Sequence, residues 1–129
     1  MPFINVKIAG PQLDPAQTSK IQKQTTSLMA QVLHKQAPVT AVLVEQVDVA
    51  GWTVGAEPVS HAAQVDAIIS AGTNTPEQKA KFIAEMNSLL HEVIVPDLTS
   101  VSYVVIHEVP RDSWGYDGLT QESRAEISD

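Results

Sequence analysis

The sequence predicts an α+β fold, a β-α-β unit written twice to give a four-stranded sheet with both helices on one face. Three observations predict it. β-rich runs flank a helical run in each half: residues 3–9 and 40–48 around the first, 63–70 and 101–108 around the second. Both helical runs open on a capping residue followed by proline, Asp14-Pro15 and Thr75-Pro76. Landmarks keep step between the halves: Pro15 with Pro76, Thr40 with Thr99 and Trp52 with Trp114, at offsets of 61, 59 and 62 residues.

The first strand, FINVKIA at 3–9, alternates and is broken by Pro11. The first helix runs from Pro15 to about Gln36, with Ile21, Leu28, Met29, Val32 and Leu33 at helical spacing and Pro38 beyond its end. TAVLVEQVD at 40–48 is almost continuously apolar at its start, as in a strand buried on both faces. In the second half, AQVDAIIS at 63–70 leads into a Gly72-Thr73-Asn74 turn. Gln78 completes a capping box with Thr75, and Phe82, Ile83, Met86, Leu89 and Leu90 form the apolar helical face, which Pro96 ends. VSYVVIHE at 101–108 is the fourth main strand. Hairpins at Gly51–Gly55 and Trp114–Gly118 and a short helix over Thr120–Ile127 complete the plan. Each strand–helix–strand unit dictates parallel strands and a right-handed crossover. With both helices on one side, the other sheet face is left open. An apolar face of that size predicts self-association.

The chain of 129 residues reads as one domain of two units, 2–60 and 61–120, followed by a short tail. Apolar residues at 43% against 18% charged indicate a globular chain. A net charge of −7, with scattered bases and no basic stripe, opposes nucleic acid and anionic membranes. No apolar run approaches the ~20 residues of a membrane helix. No secretory leader pattern opens the chain and there is no cysteine, which together predict a cytoplasmic protein. No phosphate loop or dinucleotide fingerprint is present, and His34, His61, His91 and His107 lack metal-ligand spacing. No cofactor is therefore expected.

A unit of about 60 residues that starts Met-Pro and ends in an aromatic-glycine turn resembles the tautomerase superfamily. Trp-Gly-Tyr-Asp-Gly at 114–118 and Leu98-Thr99-Ser100-Val101 ahead of the last main strand strengthen the resemblance, which covers residue 2 to about 120. Tandem fusion of the unit is similar to the longer members: malonate semialdehyde decarboxylase, cis-3-chloroacrylic acid dehalogenase and macrophage migration inhibitory factor. The resemblance implies a homotrimer with one proline site per chain. It also implies a cofactor-independent enzyme that interconverts keto and enol forms of a small 2-oxo acid or related carbonyl compound. Two other readings stay open: a decarboxylase or hydratase-type lyase using the same proline, and a non-catalytic trimeric binding module.

Pro2 is the implied catalytic group. Methionine is usually removed ahead of small residues, which would leave a secondary amine at the head of a buried strand. An apolar pocket disfavours the ammonium form of such an amine and brings it toward the range where a general base works best. A retained Met1 would instead make that nitrogen an amide without basicity. Tyr103 falls where migration inhibitory factor has a pocket-lining tyrosine, placed to hydrogen-bond a carbonyl or enolate oxygen; a packed strand tyrosine is the structural alternative. Trp114, and with less support Tyr116, would wall the pocket, with Trp52 at a subunit interface.

The family's carboxylate-binding arginines are missing. Their positions hold Gln12 and Leu43 in the first unit and Asn74 and Ser102 in the second. Where the longer members carry paired arginines, this chain reads Ser70-Ala71-Gly72-Thr73-Asn74. Asn74 remains as a candidate donor to substrate oxygen. Arg111 either folds back over the site from the last turn or lies on the surface.

Overall fold

The computed structural model describes residues 2–128, with side chains up to residue 125. The main elements are β1 (Phe3–Ala9), α1 (Pro15–Gln31), β2 (Ala41–Val47), β3 (Thr53–Val54), β4 (Glu57–Pro58), β5 (Ala62–Ser70), α2 (Pro76–Val93), β6 (Tyr103–Val109), β7 (Gly115–Tyr116), β8 (Leu119–Thr120) and α3 (Gln121–Ser128). The sheet order is β2-β1-β5-β6. The outer pairs β1/β2 and β5/β6 are parallel, and the central pair β1/β5 is antiparallel. This is the tandem β-α-β architecture that the repeat predicts.

Both long helices start as the sequence indicates. Asp14 and Thr75 accept from the backbone amides of Gln17 and Gln78, whose side chains reach back to close capping boxes. The first helix is shorter than its apolar spacing suggests and ends at Gln31, not Gln36. The reason is local: His34 adopts a left-handed conformation (φ 58°), and the Lys35 amide turns back onto the Met29 carbonyl at 3.0 Å. Val32 and Leu33 still reach the core, from beyond the last helical turn.

The core lies between the sheet and the two helices. Alternation sends Ile4, Val6 and Ile8 of β1 and Ala63, Val65, Ala67 and Ile69 of β5 onto the helices. They meet Ile21 and Met29 of α1 and Phe82, Met86, Leu89 and Leu90 of α2. Each large side chain buried there contributes roughly 1.5–3 kcal/mol relative to exposure. Ile83 is the exception on α2; it stays 39% exposed and outside the core.

The opposite sheet face is not the apolar surface expected. Strand register lines up three rows across it. One row is Ala41, Phe3, Ile68 and His107; the next is Leu43, Asn5, Asp66 and Val105; the third is Glu45, Lys7, Gln64 and Tyr103. Apolar side chains therefore alternate with a hydrogen-bonded polar set. Asn5 donates to Glu45 at 3.3 Å, Gln64 donates to Asp66 at 3.1 Å, and His107 Nε2 lies 2.8 Å from Asp66 Oδ1. The period-2 pattern fixed which residues face outward, but not how polar that face is.

Candidate active site

Strand directions decide what surrounds Pro2. Phe3 pairs with Ile68, so the head of β1 lies beside the carboxyl end of β5 and hence of β6. The chain leaving β6 passes through Arg111 and folds the β7–β8 hairpin over that end of the sheet. Asp117 and Gly118 take positive φ (51° and 80°), which gives the hairpin a tight two-residue turn matched to strand twist. Gly115 is obligatory, because a Cβ there would collide with the Leu119 carbonyl.

Pro2 is buried, and its carbonyl accepts from Ala41 N at 3.1 Å. It faces a cleft of about 160 Å³ lined by Phe3, Val39, Ala41, Trp114, Gly115, Tyr116 and Gln121. The described lining contains no charged side chain. The Trp114 indole donates to Ser70 Oγ at 3.2 Å, and the Trp114 carbonyl accepts from Gln121 N at 2.9 Å. Helix α3 is tied to the hairpin in turn: Arg124 donates to the Tyr116 carbonyl at 2.8 Å, with its guanidinium 3.7 Å over the Tyr116 ring.

Of the residues singled out in the sequence, Trp114 and Tyr116 thus meet Pro2. Arg111 is exposed and lines an adjoining cleft of about 280 Å³, together with His34, Lys35, Gln36, Ser70, Thr73, Gln121, Arg124 and Ala125. The two clefts share Gln121. Asn74 does not join them. Its amide donates to the Leu33 carbonyl at 2.9 Å and to Gln78 Oε1 at 3.0 Å, which ties the turn after α1 to the start of α2. Tyr103 does not meet Pro2 within the chain either. It pairs through Gln64 to Lys7, five residues along β1 from Pro2, roughly 16 Å at ~3.3 Å per residue. Its ring stands 66% exposed on the open sheet face. Trp52 sits ahead of the other hairpin, β3–β4.

Lys35, Arg124 and Gln121 went unnoticed in the sequence because their roles depend on the fold. Lys35 follows the early end of α1, and the two α3 residues arrive only because that helix packs back on the hairpin. Burial lowers the Lys35 pKa, with Glu108 opposing from a distance. Glu108 is held by Lys79 at 2.7 Å, and that hydrogen bond keeps its carboxyl below the usual range. Among the described residues no His/Asp/Glu group is arranged to hold a metal ion. No helix among the described residues is long and apolar enough to cross a membrane.

The tautomerase enzyme family model matches residues 2–62 and again residues 63–124. The chain belongs to the tautomerase family. A probable tautomerase K2 of Dickeya dadantii (strain 3937) is 28% identical over 64 residues, half of this chain and 96% of the relative. A fused 4-OT solved as a symmetric trimer superposes with a TM-score of 0.81 at 21% identity, covering 95% of this chain and 98% of that one. A migration inhibitory factor-like protein from Entamoeba histolytica gives a TM-score of 0.74 at 17% identity, covering 92% and 97% of the two chains. At such identities these structures establish the fold. Family membership makes this chain an enzyme of the tautomerase type or a related activity.

Proposed function

We propose that the protein is a cofactor-independent keto–enol tautomerase of a small carbonyl compound, with the amine of Pro2 as its proton shuttle. The observation that carries this reading is the burial of Pro2 in an uncharged cleft under Trp114. After removal of Met1, which lies outside the described residues, the nitrogen is a secondary amine. Apolar walls favour its neutral, proton-accepting form. The amine takes a proton from the carbon next to the carbonyl and returns it at oxygen or at a second carbon, so no external acid is consumed. Trp114 and Tyr116 limit water around the base.

Assembly belongs to the same proposal. Fused 4-OT forms trimers, and the open sheet face here offers Phe3, Leu43 and Tyr103 for contact between copies. A homotrimer is also what the proposed role of Tyr103 as oxygen donor requires, since a neighbouring copy must bring that phenol to Pro2.

A second reading, a lyase acting on an acid through a protonated Pro2, draws on the cationic cleft beside Pro2, which supplies the charge that the missing family arginines do not. The test begins with intact mass, where loss of methionine is expected. Ketonisation of phenylenolpyruvate is then followed by absorbance. Pro2→Ala is expected to lower the rate by about 10²-fold or more, the scale of general acid–base catalysis. Equal rates would remove Pro2 from the mechanism, and a retained Met1 would favour a non-catalytic binding module.

A further inference from the structure

The cleft adjoining Pro2 gathers Lys35, Arg111 and Arg124. Arg111 and Arg124 are the only two arginines of a chain whose net charge is −7. Among the described residues, no carboxylate lines this cleft and none forms an ion pair with these three cations. Lys35 Nζ has the neutral Thr73 hydroxyl as its hydrogen-bond partner, at 2.8 Å. The nearby Glu108 is already clamped by Lys79. Arg124 keeps Nε buried with no partner among the described residues. Lys35 and Arg124 are partly withdrawn from water without an ion-pair partner, an arrangement that a bound anion would relieve.

The directions of approach say which ligand. Lys35 comes from the end of α1, Arg111 from the chain after β6 and Arg124 from α3, so the donors converge from three elements. A planar carboxylate is best served by one guanidinium fork in its own plane. A tetrahedral oxyanion presents acceptors on every side, and two negative charges match three cations better than one does. We infer that this cleft binds a phosphate group, and that the phosphate is part of the substrate, a phosphorylated carbonyl compound whose reacting end reaches Pro2 past Gln121 and Trp114. The second half rests on the function proposed for Pro2; the first half does not.

The probe is inorganic phosphate, titrated calorimetrically into the full-length protein in a mildly alkaline, low-salt, phosphate-free buffer. Phosphate and sulfate are expected to bind at least about tenfold more tightly than acetate. Lys35→Gln and Arg124→Gln are each expected to weaken phosphate at least about tenfold, while Pro2→Ala and the remote Lys23→Gln leave it unchanged. Arg124 also braces Tyr116, so Lys35→Gln decides the matter if Arg124→Gln fails to fold. Acetate binding as tightly as phosphate, or unchanged phosphate affinity in Lys35→Gln, overturns the site. For the substrate assignment, phosphate is expected to compete with phenylenolpyruvate in the wild-type protein. Binding without competition, or the lack of any Pro2-dependent rate, overturns that assignment while the measured binding stands.

Discussion

Pro2 and His61 hold matching places in the two halves of the chain. Each precedes the first strand of its unit, and each carbonyl accepts from the start of the unit's second strand region, Pro2 from Ala41 at 3.1 Å and His61 from Thr99 at 3.0 Å. Their surroundings differ. Pro2 looks into a cleft under the β7–β8 hairpin. His61 is 8% exposed and packed on Gly10, whose added Cβ would lie 2.7 Å from the imidazole Cδ2. Its Nε2 is buried with no partner among the described residues, and its backbone nitrogen is an internal amide. Duplication copied the scaffold; the chemistry depends on what the loops after the sheet place around each strand head.

This contrast can be broken experimentally. Among the variants that leave Pro2 itself in place, the largest effect is expected for Gly115→Ala, which forces the hairpin backbone away from Pro2. Phenylenolpyruvate turnover should fall at least about tenfold, because misplacing a pocket wall costs orientation; an unchanged kcat/KM would show that the hairpin does not shape the site. Gly10→Ala at the other end should act on stability instead. Gly10 has φ 134°, and the new methyl group meets both His61 and the Ser60 carbonyl. A loss of roughly 1–3 kcal/mol is expected in denaturant titration, with turnover preserved below the transition. Replacing His61 by Ala in the same chain should recover part of that loss.

Asn74→Ala sharpens the comparison further, since it separates a binding amide from a structural one. With both Asn74 donor bonds engaged, the variant should lose about 1–3 kcal/mol of stability and keep its kcat/KM. The smallest effect is expected for Glu108→Gln. The folded-state pKa of Glu108 is depressed, so its ion pair stabilises above the ordinary carboxylate range and is lost as pH falls through the depressed value. The difference in Tm between wild type and Glu108→Gln should therefore be small at neutral pH and vanish on acidification; a constant difference would show that the charge plays no part.

Much of the scaffold was legible because local signals agree with one another. β1 begins and ends where FINVKIA does, and the Asp14-Pro15 and Thr75-Pro76 caps start their helices as read. Pro2, Trp114 and Tyr116 could be grouped through resemblance to the family. What was not legible depends on relations between strands. The distance of Tyr103 from Pro2 follows from the antiparallel β1/β5 pairing, which no local pattern specifies. The same holds for Lys35, set by the left-handed turn at His34, and for Arg124, set by the docking of α3. Asn74 stands at a position where the family carries an arginine, but its amide serves the contact between the turn after α1 and the start of α2.

The Trp114 indole, half-buried, lines the uncharged cleft and is bonded to Ser70, which lines the cationic one. Its emission wavelength and intensity depend on local polarity, so filling either side should alter the fluorescence. Substituting Trp52, the chain's only other indole, would isolate that signal and give a label-free optical reporter of occupancy, even for compounds that the protein binds without turning over.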